Sequence, residues 1–237
     1  MRILFLLCIA VVLFSCSNSS KNHAGDGSGS ADWVMTKAIQ EKLSADSVIS
    51  ILKSGNINFS SFNLTPKNDS MRMRITSDSG QYPMAAVLSC LDSRVTVESV
   101  FDRGIGDLFV ARVAGNFANT DILGSLEYAC EVSGSKVILV LGHENCGAIK
   151  SAIDTVKLGN ITAMLANLQA AVDSTQTTGK RNSKNKQFVH DVAVKNIQFT
   201  IKKIRTDSKI LDSLEKIKKL KIIGGMYDLA TGKITYY

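Results

Sequence analysis

Apolar residues change their spacing from one segment of the chain to the next, and the changes predict alternating helices and strands. "DSVISILKSGN" puts Val48, Ile51 and Leu52 at helical spacing behind Asp46, a capping residue type, and predicts a helix ending at Gly55. "MAAVLSC" and "DLFVARV" are short apolar runs that stop at turn-forming or polar residues, as buried strands do. "TDILGSLEYACEVSG" returns to helical spacing, from a cap at Thr120 or Asp121 to Gly134. "KVILVLG" is β-branched and does not alternate, so both of its faces are expected to be covered, and "CGAIKSAI" opens a helix directly behind it. A polar stretch around Asp173 to Lys186 precedes long amphipathic helices from about Phe188 to Lys218. "LKIIGGMYD" follows, and "YDLATGKITYY" reads as a hairpin through Thr231 and Gly232. The pattern predicts an α/β fold: a mostly parallel central sheet flanked by helices, with a C-terminal antiparallel edge hairpin.

The first residues follow a different pattern. Arg2 precedes an apolar run from Ile3 to Phe14, within the ~7–15 residues of a signal sequence and short of the ~20 that a spanning helix needs. "LFSC" resembles the lipobox of bacterial lipoproteins, which implies lipidation of Cys16 as the first mature residue, although Phe14 is bulkier than that motif usually has. A plain signal peptide or an uncleaved anchor are the alternatives. "SNSSKNHAGDGSGSA" has nothing to bury and reads as a flexible tether. The chain thus divides into a signal peptide (1–15), a lipidated tether (16–31) and one domain (32–237). Acyl chains would hold it to the bacterial cell envelope, facing the periplasm, without a spanning helix.

The formal net charge is +7, much of it in "GKRNSKNK" and "IKKIRTDSKILDSLEKIKKLK". No aromatic residues interleave with these lysines in the manner of a nucleic-acid interface, so they are read as solvated faces and no nucleic-acid partner is expected.

Of five cysteines, only Cys90, Cys130 and Cys146 fall in the domain. That is too few for a disulfide scaffold, and thiols kept reduced in an exported chain call for a reason such as metal ligation. Cys90 ends one predicted strand, His143 ends another, and Cys146 opens the helix that leaves it. In open parallel sheets, sites gather beyond the carboxyl ends of the strands. The three donors would meet there if the two strands were neighbours. A lone H-x-x-C also fits a core histidine beside a buried thiol, and Cys130 suits a buried helix position.

"CLDSR" and "GHENCG" together resemble the paired signature of the β-class carbonic anhydrases, C-x-D-x-R and H-x-x-C. "GQYP", "GDLFVARVAGN", "ILGSLEYA", "YDLATG" and "ILKSGNINF" extend the resemblance over nearly all of Ser44 to Tyr237. It implies the β-carbonic anhydrase fold and one Zn²⁺ per subunit, held by Cys90, His143 and Cys146. It also implies reversible hydration of carbon dioxide to bicarbonate and a proton by zinc-activated hydroxide. Asp92 would orient the nucleophile, with Arg94 holding it; a released Asp92 could instead take zinc's fourth position and close the site. Gln81, Phe109, Ala114 and Tyr128 match the family's substrate pocket, and ordinary core packing competes for Phe109 and Tyr128. Because family sites form at a subunit interface, the resemblance implies a homodimer or dimer of dimers. Some bacterial members hold a regulatory bicarbonate beside a tryptophan three residues before the first cysteine. Val87 stands there in this chain, which implies that the regulatory pocket is missing. A carbonyl sulfide or carbon disulfide hydrolase on the same scaffold, or a non-catalytic zinc-binding lipoprotein, are the alternative functions. His190 and His23 have no motif support.

Overall fold

The computed structural model describes residues 33–237. The signal, tether and Cys16 readings therefore lie outside the described residues. Five strands form one sheet: β1 (Ala85–Ser89), β2 (Leu108–Arg112), β3 (Val137–His143), β4 (Lys221–Tyr227) and β5 (Ile234–Tyr236). Their order is β2-β1-β3-β4-β5. The first four are parallel, and β5 pairs antiparallel with β4 through a loop containing Gly232. The helices are α1 (Lys37–Lys42), α2 (Ala45–Ser60), α3 (Asp69–Ser79), α4 (Val97–Val100), α5 (Thr120–Glu127), α6 (Gly147–Ile153), α7 (Gly159–Ala166), α8 (Gln169–Ser174), α9 (Lys186–Asp207) and α10 (Lys209–Lys216).

β1 and β3 carry unbroken apolar runs because the sheet is covered on both faces. On one face Ala86, Leu88, Ile138 and Val140 pack with Phe188, Val192 and Ile197 of α9. On the other, Val87, Leu139 and Leu141 pack with Val48 and Leu52 of α2 and with Phe101. Val87 is fully buried there.

Two expected boundaries change. Ser44, not Asp46, caps α2, accepting from the Ser47 N–H at 3.1 Å, while Asp46 lies in the first turn and meets Lys221. The helix also runs through Gly55 to Ser60. Gly55 is a point of contact rather than a stop, since a Cβ there would lie 1.8 Å from the Phe101 carbonyl oxygen. The helix predicted from Thr120 or Asp121 is instead capped by Asn119, and continues from α5 into a π-helical turn at Tyr128–Val132. No helix among the described residues is long and apolar enough to cross a membrane.

Candidate metal centre

β1 and β3 are direct neighbours, and Ser89 pairs with Leu141 at the end of their shared register. Cys90 and His143 therefore emerge side by side at the carboxyl edge of the sheet. The chain then reverses within three residues. The Glu144 N–H donates to Tyr227 O at 2.9 Å, extending the ladder, and Asn145 takes a left-handed conformation (φ 56°) that a short amide side chain tolerates. Cys146 follows as the residue before α6.

The three donors are buried and their ligand atoms all lie within 4.8 Å of one another. The Cys90 and Cys146 sulfurs are 3.8 Å apart. Two ~2.3 Å metal–thiolate bonds at a tetrahedral angle would place them ~3.8 Å apart, so the pair has the spacing that zinc requires. His143 is set up in the same sense. Its Nδ1 donates to the Glu144 carbonyl at 2.9 Å, because a carbonyl can only accept, and this leaves the lone pair on Nε2, a buried atom with no hydrogen-bond partner. An ion fits that orphaned nitrogen and the two sulfurs.

The electrostatics agree. Cys90 is held down at about 4, chiefly by the hydrogen bond from Cys146, with help from the Gly115 N–H. Cys146 is pushed up, first because its proton is the one shared with Cys90 and then by burial. The thiol pair gives up one proton readily and retains the other, and a cation is what would release the second. The Gly115 N–H reaches Cys90 Sγ at 3.3 Å from a turn with φ 86°, and Asn196 of α9 pins that turn by donating to Gly115 O. Cys130 is remote from this chemistry: burial alone pushes its thiol up to about 12.

Asp92 lies at the rim with its side chain 15% exposed, and its Oδ2 is 3.8 Å from His143 Nε2. Arg94 grips it in a fork, Nε to Oδ1 at 2.9 Å and Nη2 to Oδ2 at 2.7 Å, and adds a backbone N–H at 3.0 Å. These bonds hold the Asp92 carboxyl well below the usual carboxylate range.

The pocket residues divide. Ala114 is half-buried next to Gly115, beside the donors. Gln81 is exposed and precedes the amino end of β1, a strand length from Cys90. Phe109 and Tyr128 meet edge to face with centroids 6.4 Å apart. They line a cavity of about 740 Å³ with Ala86, Thr120, Asp121 and Ile122, and no metal donor borders it. Within one chain, these three residues and the donor trio do not form one site. The sequence reading overlooked Arg112, the charged residue that ends β2, which donates to the carbonyls of Cys90 and Asp92. A lone arginine closing an apolar strand was the only available signal.

The family model for carbonic anhydrase matches residues 85–234. Carbonic anhydrase 2 of Mycobacterium tuberculosis is 31% identical over 77% of this chain and 87% of its own length. The solved β-carbonic anhydrase CcaA superposes with a TM-score of 0.63 over 81% of this chain and 86% of that one, at 23% identity. The chain belongs to the β-class carbonic anhydrases. A structure from a pair of tetrameric β-carbonic anhydrases of Sordaria macrospora has the same fold, with a TM-score of 0.60 and 21% identity over 80% of this chain and 96% of that one. In this carbonic anhydrase, a parallel sheet with an antiparallel edge carries the Cys-His-Cys group at its carboxyl end.

Proposed function

We propose that this carbonic anhydrase uses one Zn²⁺ per subunit to interconvert carbon dioxide and bicarbonate. The observation that carries the reading is the buried Cys90–His143–Cys146 trio, with donor spacing suited to a tetrahedral ion and a free imidazole nitrogen aimed into it. Two thiolates and a neutral imidazole would cancel the charge of a bound Zn²⁺, which would lower the pKa of water from 15.7 towards ~7 and so supply a nucleophile near neutral pH.

The remaining chemistry belongs to the chain. Asp92, kept ionised by Arg94, accepts a hydrogen bond from the attacking water and turns its lone pair towards the carbon of carbon dioxide. Arg94 also keeps the carboxylate from serving as a fourth ligand and closing the site. Ala114 supplies a small apolar wall. Gln81, Phe109 and Tyr128 serve the metal centre of a second copy in a homodimer or dimer of dimers. Their placement towards the amino side of the sheet, away from their own trio, supports that reading. The N-terminal sequence supports an exported enzyme, lipidated at Cys16 and facing the periplasm.

The test is stopped-flow carbon dioxide hydration with zinc quantified in parallel. Arg94→Ala should lower turnover at least ~10²-fold, the scale of losing a positioned catalytic group, with zinc retained. Cys146→Ala should lose the zinc itself. Near-normal turnover in metal-loaded Arg94→Ala would show that the dyad does not govern this site.

A further inference from the structure

Five residues after β1 carry a metal donor, the gating carboxylate and its counter-ion: Cys90, Leu91, Asp92, Ser93 and Arg94. Leu91, which follows the buried Cys90, is 65% exposed, so its side chain does not anchor the segment. The Val95 N–H, from a fully buried residue directly behind the segment, donates to Asp92 O at 3.1 Å. Within the segment, Arg94 grips Asp92, and that bond travels with it if it moves. Arg112 is different because it is rooted in the neighbouring strand, paired in register with Ser89. From there its Nε donates to Cys90 O at 3.1 Å and its Nη2 to Asp92 O at 2.5 Å. The planar fork thus spans the carbonyls on either side of Leu91, a geometry open to guanidinium and not to a point charge.

The need for such a clamp follows from the distances. Asp92 Oδ2 is 3.8 Å from His143 Nε2, whereas two donors sharing a tetrahedral zinc stand ~3.4 Å apart. The carboxylate oxygen therefore stands ~0.4 Å farther from this nitrogen than two ligands of one zinc would. Arg94, from the solvent side, opposes the loss of that distance with a side chain that is 58% exposed. Arg112 opposes it through the backbone.

We infer that Arg112 is a positioning residue: by bridging the Cys90 and Asp92 carbonyls from β2, it holds the Asp92 carboxylate off the metal while leaving Cys90 in place. This inference rests on the zinc reading above and deepens it.

The test uses the full chain with Arg112→Ala and Arg112→Lys, loaded with zinc for kinetics and with cobalt(II) for its visible spectrum. Arg112→Ala is expected to keep its metal, to lose at least ~10-fold in kcat with KM within ~2-fold, and to show a cobalt spectrum shifted by an added carboxylate donor. Adding Asp92→Ala to that variant should abolish the shift. In metal-free protein, the Val95 amide should exchange at least ~10-fold faster in the variant, because its acceptor is no longer fixed. Arg112→Lys, which keeps the charge without the fork, should resemble Arg112→Ala and guards against misfolding of the truncated variant. An unchanged cobalt spectrum, metal loss in proportion to activity, or full rescue by lysine would each overturn the inference. A wild-type chain that neither binds zinc nor hydrates carbon dioxide would instead overturn the reading beneath it.

Discussion

Asp102 shows how much a single buried carboxylate can hold in this protein. It lies at a left-handed turn (φ 50°), and accepts from Asn58, from the Thr65 amide and hydroxyl, and from Lys67. Burial alone would raise its pKa, but Lys67, Asn58 and Thr65 outweigh burial and the value is lowered. A carboxylate whose folded pKa lies below its unfolded ~3.9 binds fewer protons when folded. Its stabilisation is therefore complete above that value and fades as pH falls through the folded pKa. Asp102→Asn tolerates the same backbone and should cost about 2 kcal/mol at neutral pH, the scale of hydrogen bonds to a charged group. The gap to wild type should close as both are acidified below about pH 4. Thermal melts across pH measure this, and a gap independent of pH would remove the charge from the explanation. None of these contacts was legible in the sequence, since partners 35 to 44 residues before Asp102 leave no periodic trace.

At the scale of elements, the approach of α2 to the turn after α4 is closest at Gly55. The sequence reading took this glycine as a helix stop, because glycine has poor helix propensity and commonly follows a last turn. In the fold, tertiary contact overrides that preference: the helix continues, and the missing Cβ lets its backbone lie against Phe101 O. Gly55→Ala would improve helix propensity by ~1 kcal/mol if the site were open. The clash should instead make it destabilising by ~3 kcal/mol, as overpacking forces backbone to move. Denaturant unfolding decides between the two signs. The same competition explains the cap: Asp46 and Ser44 are both good capping types, and the hydrogen bond to Ser47 selects Ser44.

At the scale of the whole molecule, the metal centre occupies the carboxyl edge of the sheet, while α1 begins near its amino edge, where Gln40 bonds Pro83 O and Ser133 O. A tether entering before α1 would thus leave the metal centre at the far end from the attachment point. If Cys16 is the lipidated residue, Cys16→Ser should transfer the protein from the membrane fraction to soluble material, or leave an uncleaved precursor, without changing zinc content. Processed protein that stays with the membrane would defeat the lipid anchor. Cell fractionation with immunoblotting and metal analysis reads all three outcomes.

The sequence by itself determined the alternation of helices and strands, the burial of β1, the double-sided burial of β3, and the residue types able to hold a metal and a gating carboxylate. Those features are local: periodicity follows from backbone geometry, and thiolate, imidazole and carboxylate chemistry from the side chain alone. Only the tertiary structure decided that β1 lies beside β3, which turns Cys90 and His143 from two strand ends into one site. It also decided that Gln81, Phe109 and Tyr128 stand apart from the donors of their own chain, and that Arg112 reaches across from β2. Strand order arises from the burial of whole faces against α2 and α9, a sum over distant segments that no short stretch of sequence encodes.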